Sequence, residues 1–148
     1  VKMERRIILG ATAGAVVISI QAGLFFGFLF ADFFASRLPA EFAGINRTAP
    51  NVPMLFVADL LYAGMLAFVF AQARVNTFRR GAALGVLIGF SVVLHFDLIS
   101  SATTYLTTPA SVALNVGLST LMSGLGGGVI AAVFGHLEAR AHTLASKT

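Results

Sequence analysis

The chain has 148 residues, of which 57% are hydrophobic and only 11% charged, against roughly a quarter charged in an ordinary soluble domain. With a mean hydropathy of +0.89 and apolar residues gathered into blocks long enough to cross a bilayer, these figures exclude a soluble globule. Cysteine is absent, which excludes thiol oxidases, disulfide relays, thiolate-ligated metals and c-type haem attachment, and the net charge of +4 reads as a topology signal, with no nucleic-acid partner implied.

Searching for runs that cross about 30 Å of hydrocarbon predicts an all-α membrane four-helix bundle, a single domain with four transmembrane spans. The first, over residues 7–31, follows Lys2, Arg5 and Arg6. That charged start resembles a signal peptide, but a run of about 25 residues is too long for a signal h-region and reads as a transmembrane helix. The second span, 53–73, lies between Pro50 and Arg74; the third, 81–102, follows Arg79-Arg80. The fourth, 112–137, follows Thr107-Thr108-Pro109, and the segment from His136 onward is expected to prolong it past the membrane.

Basic residues orient the spans. Lys2, Arg5, Arg6, Arg74, Arg79, Arg80, Arg140 and Lys147 fall on one side, and only Arg37 and Arg47 on the other. The positive-inside rule therefore makes both termini cytoplasmic. The segment between the first two spans, Asp32 to Val52, carries Phe33, Phe34 and Phe42 and is expected to lie along the outer interface as a loop. Small residues that permit close helix approach recur every four positions: Gly10/Gly14 and Gly23/Gly27 in the first span, Gly81, Gly85 and Gly89 in the third, Gly124 and Gly128 in the fourth, which also carries a line of Asn115, Ser119 and Ser123. They read as packing faces within the bundle, or as a face that docks a second protomer or subunit.

Ionisable groups inside a span are costly and mark functional candidates. They are Asp59, His95 and Asp97, with Gln21, Tyr62 and Ser123 as uncharged company. Counting inward at 1.5 Å per residue puts Gln21, Asp59, His95 and Ser123 at roughly 21 Å from the cytoplasmic ends and Asp97 about 3 Å further, predicting one polar layer built by all four helices. His95 and Asp97 stand about 200° apart and cannot pair with each other. If the glycine stripe faces the bundle, Phe96 continues it, and Asp59 meets either His95 or Asp97. Tyr62, one turn after Asp59, is placed to hydrogen-bond it. Such a layer suits a structural polar knot, a proton or ion path, or a small-ligand site. His95 alone also has the chemistry to ligate a haem or chlorophyll, but no second histidine lies at its level. No metal cluster and no nucleophile–base arrangement is present, so neither a metal nor a resident cofactor is expected, and the chain reads as a non-enzyme.

The stretch Leu61-Tyr62-Ala63-Gly64 through Thr77-Phe78-Arg79-Arg80-Gly81, then Gly85, Ile88-Gly89-Phe90 and Phe96-Asp97-Leu98, resembles a widespread, largely uncharacterised bacterial family of small four-helix membrane proteins. The glycine-rich start of the first span, Asp32-Phe33-Phe34 after it and Met122-Ser123-Gly124 with Gly127-Gly128 extend the likeness over about residues 8–135. The family commonly has a tryptophan in the first helix and a small residue before the position of Phe96; this chain has no tryptophan, and His95 stands there. The resemblance thus carries over Asp97 and not His95, and it implies topology and inner-membrane location without an activity. Two functional readings follow. One is an accessory subunit, packing with itself or in a larger complex of respiratory or photosynthetic type. The other is a small proton or ion channel or carrier that uses the Asp/His layer.

Overall fold

All four apolar runs are helical in the computed structural model of the protein, which describes residues 2–37 and 50–146. Helix α1 (Met3–Leu24) continues through a widened turn at Phe25–Leu29, where the Phe30 N–H reaches back five residues to the Phe25 carbonyl at 2.8 Å. A short α2 (Ala31–Ser36) follows, then α3 (Val52–Gln72), α4 (Phe78–Thr103) and α5 (Pro109–Ala145). Among the described residues, four helical segments are long and apolar enough to cross a membrane: Met3–Leu29, Val52–Gln72, Phe78–Thr103 and Pro109–Ala141. The molecule therefore has the character of a multi-pass, all-helical membrane protein. Part of the segment expected as an interfacial loop is instead helical at α2. Phe42, with the rest of that loop over 38–49, lies outside the described residues.

Local signals explain the helix ends. Asn51 caps α3, its Oδ1 accepting the Met54 N–H at 3.1 Å, and Pro53 occupies the first turn, where its missing N–H leaves no bond unmade. Thr108 and Ser111 form a reciprocal cap at the start of α5: the Ser111 N–H donates to Thr108 Oγ1 at 3.2 Å and the Thr108 N–H to Ser111 Oγ at 2.8 Å. Between α3 and α4 the chain turns at Arg74, which takes a left-handed φ of 54°, so that the Val75 N–H closes onto the Phe70 carbonyl at 2.9 Å.

Helix α5 is the hub, packed against α4 along its length and against α1, with α3 laid over α1 and touching α5. Glycine decides how closely these helices approach. A Cβ added at Gly81 would strike Ala131 and the Gly127 backbone, one at Gly85 the Ser123 carbonyl, and one at Gly89 the Ser123 side chain. From the other side, a Cβ at Gly127 would stand 2.6 Å from the Gly81 carbonyl oxygen. Gly124 packs under Val86, Gly128 under the Phe78 ring, and Gly10 and Gly14 under Phe134 and Ile130. Gly23 and Gly27, by contrast, have nothing among the described residues within 4 Å of the place a Cβ would take.

Helix α3 buries Ala63, Leu66, Ala67 and Phe70, one face at helical spacing. Leu66 and Phe70 meet Ile130 and Phe134 of α5 in an apolar centre where all four are 0% exposed. Next to it, toward the basic end of the bundle, Arg6 Nη1 pairs with Glu138 Oε1 at 2.5 Å, Asn76 donates to Glu138 Oε2 at 2.7 Å, and the Arg6 guanidinium lies 4.2 Å above the Phe134 ring. This knot ties α1, the α3–α4 turn and α5 together, and it gathers Arg5, Arg6, Arg74, Arg79, Arg80 and Arg140 at one end.

Candidate functional site

The predicted polar layer divides into three contacts, each between a different pair of helices. Ser19 of α1 donates to Asp59 Oδ2 at 2.5 Å. Tyr62 of α3 donates to Ser123 Oγ at 3.0 Å, beside Gly89. Asn115 of α5 donates through Nδ2 to Asp97 Oδ2 at 2.8 Å, and Ser119 donates to Asn115 Oδ1 at 3.4 Å. Asp59 thus meets neither His95 nor Asp97, and Tyr62 bonds Ser123 in place of Asp59. Gln21 turns back on its own helix, donating to the Val17 carbonyl at 3.0 Å and leaving its Oε1 buried without a partner.

His95 stands outside all three contacts. It is exposed, edge-on to Phe96 at 5.7 Å between ring centroids, and Phe96 is itself 67% exposed. The expectation that Phe96 continues the glycine stripe therefore fails, and Asp97 continues it instead. The reason is the packing row. Positions 81, 85, 89 and 97 lie on one row of four-residue steps, and such rows stay in register with a partner helix that packs through its own four-residue row. On α5 that partner row is Asn115, Ser119, Ser123 and Gly127, the polar line visible in the sequence. Each step of four advances the angle by about 40°, so a row followed along a crossing helix departs from a straight seven-residue repeat.

Along α4, Asp97 lies eight residues, roughly 12 Å, beyond Gly89 and its Ser123 contact. It opens into a cavity of about 250 Å³ at the end away from the arginine cluster, whose walls include Asn115, Phe26, Phe34, Leu106 and Arg37. Phe26 and Phe34 pack against each other with ring centroids 5.3 Å apart, and the widened turn in α1 helps bring them to this wall. Asp59 opens into a separate groove of about 540 Å³ between α1 and α3, floored by Ser19, Ala22, Gly23, Gly27 and Ala58 and walled by Phe56.

Ser19, Asn115 and Arg37 were not among the residues singled out as the polar layer. Asn115 carried a signal, its four-residue spacing from Ser119 and Ser123; Ser19 and Arg37 carried none. Among the described residues no group of three His, Asp or Glu side chains comes together to hold a metal. Comparison with known protein families, with curated proteins and with solved structures found no match to this chain.

Proposed function

We propose that this multi-pass protein is a non-enzymatic accessory subunit whose groove between α1 and α3 seats a transmembrane helix of another polypeptide, a second copy or a larger complex. The groove itself carries this reading. Its floor of glycine, alanine and serine lets a foreign backbone approach closely, and the Ser19–Asp59 pair offers a hydrogen-bond acceptor to a polar residue on the incoming helix. Gly23 and Gly27, the four-residue pair that nothing within the described chain covers, lie in that floor. We place the protein in a bacterial inner membrane with both termini cytoplasmic, on the sequence resemblance and on the gathering of basic residues at one end.

Conduction through the monomer is disfavoured by the apolar centre. The three polar contacts occupy the middle and the far end of the bundle, while Leu66, Phe70, Ile130 and Phe134 close the path toward the basic end without an exposed atom among them. A proton or ion following Asp97, Asn115, Ser123 and Tyr62 meets that plug.

The test is extraction from the native membrane in mild detergent followed by native mass spectrometry of the wild type and of Gly23→Leu/Gly27→Leu. The expected result is a stoichiometric partner or dimer with the wild type, lost in the variant. Because the two glycines touch nothing among the described residues, thermal stability should not fall. A bare wild-type monomer, or a variant that keeps its partner, refutes the reading. Flux into vesicles that is abolished by Asp97→Asn would favour the channel.

A further inference from the structure

We propose that the cavity at Asp97 is a binding site for a small zwitterion, a primary ammonium and an anionic oxygen group joined by a short linker, entering from the end of the bundle opposite the arginine cluster. This goes beyond the helix-seating role and rests on different polar residues, although Phe26 lines both spaces.

Among the described residues, the cavity is lined by one acid and one base, on different walls. Asp97 comes from α4 and Arg37 from the residue that ends α2. Neither forms an ion pair among the described residues, where the pair found is Arg6–Glu138 at the other end. Asp97 is six residues inside the last residue of α4, roughly 9 Å below the helix end, and it is only partly exposed. A carboxylate at that depth is stabilised as an anion when a cation or several donors face it. One donor is present, Asn115 on Oδ2; Oδ1 receives none from the described residues and is left for a ligand N–H.

Other polar groups on the wall are already engaged. Ser111 Oγ donates to the Thr108 carbonyl at 2.9 Å and accepts from the Thr108 N–H, and Thr107 Oγ1 lies 2.9 Å from Ser101 Oγ. Among the described residues, the groups open to a ligand are therefore Asp97 Oδ1, the weakly engaged Asn115 Oδ1 and the Arg37 guanidinium, which is stacked over Phe33 at 5.0 Å at the rim. Two acceptors inside and a planar donor fork at the mouth fit an ammonium that enters first and an anionic group that stays outside. Phe26, Phe34, Leu106 and Val112 supply apolar walls for the linker, and the two rings offer faces to the cation. An ethanolamine phospholipid and a soluble amine–anion compound share this chemistry.

The experiment uses the full chain in nanodiscs of phosphatidylglycerol alone, with O-phosphoethanolamine as the soluble probe and ethylamine and inorganic phosphate as single-ended probes. Binding is read by ligand-induced shift of the melting temperature and by isothermal titration. The expected result is saturable binding of phosphoethanolamine that exceeds either single-ended probe. Asp97→Asn and Arg37→Gln should each weaken it by about tenfold or more. Asp97→Asn keeps an oxygen for Asn115, so its unliganded melting temperature checks the fold, and Arg37→Gln changes an exposed residue outside the helix contacts. A second arm exchanges the nanodisc lipid for phosphatidylethanolamine and reads retained lipid by native mass spectrometry. Lipid kept by the wild type and lost in both variants assigns the lipid as the source, with the same site upheld. No binding in either arm, or binding insensitive to both substitutions, overturns the proposal. Partner retention by the Gly23/Gly27 groove is a separate readout, so failure here leaves that reading standing, and the converse holds.

Discussion

Substituting alanine for glycine is the same chemical change everywhere, and in this protein its effect should change sign with position. At Gly85 the new methyl falls on the Ser123 carbonyl oxygen, with the Gly124 Cα at 3.2 Å. Both are backbone atoms of α5, so no side chain can swing aside and α4 must move away from α5. Ordinary contact requires 3.4–4 Å, and opening the seam by about 1 Å forfeits roughly half the dispersion energy of the pairs along it. Overpacking of this kind costs about 3 kcal/mol, and the better helix propensity of alanine returns about 1 kcal/mol. The net is a loss of about 2 kcal/mol, roughly thirtyfold in the ratio of folded to unfolded protein. At Gly117 nothing among the described residues stands within 4 Å of the new methyl, so only the propensity gain of about 0.5–1 kcal/mol remains. Reversible unfolding in mixed micelles by sodium dodecyl sulfate, followed by far-ultraviolet circular dichroism, measures both. Equal effects at the two sites, or a neutral Gly85→Ala, would refute the inference that backbone approach at the α4–α5 seam holds the bundle together.

Glu138→Gln should lower stability by about 1–2 kcal/mol, because the Arg6 side chain, 17% exposed, loses its ion-pair partner and already has Nε and Nη2 buried without one; the same titration at low and high salt should show the deficit shrinking with salt. Tyr62→Phe removes the hydroxyl bonded to Ser123 and should cost no more than about 1 kcal/mol, since Ser123 can turn to a carbonyl of its own helix. A loss above about 3 kcal/mol, measured in the same way, would mean that the hydroxyl belongs to a larger network. Arg74→Gly relieves a left-handed residue and should raise stability by about 0.5–1 kcal/mol, visible as a higher melting temperature in detergent.

Hydropathy and spacing determined a good deal unaided. A helix that must satisfy its own backbone in lipid needs a long uninterrupted apolar run, so the four runs and their breaks at Pro53, Arg74, Arg79 and Pro109 could be read directly. The glycines of the third and fourth runs also pointed to their contacts, because only residues without side chains let two backbones touch. Which polar side chain meets which was decided by the tertiary structure. The axial counting that put Asp59, His95 and Ser123 at one level carried no information about which helices are neighbours. With α5 at the hub and α3 laid over α1, Asp59 faces Ser19 and Tyr62 faces Ser123. The angular position of Asp97 depended on how α4 crosses α5. A four-residue row brings Asp97 to Asn115 and turns His95 and Phe96 outward, whereas a straight seven-residue repeat would have brought Phe96 inward. One sequence is compatible with either crossing until the partner helix is specified, and this is why the helices were legible in the chain while the pairing of their polar residues required the assembled bundle.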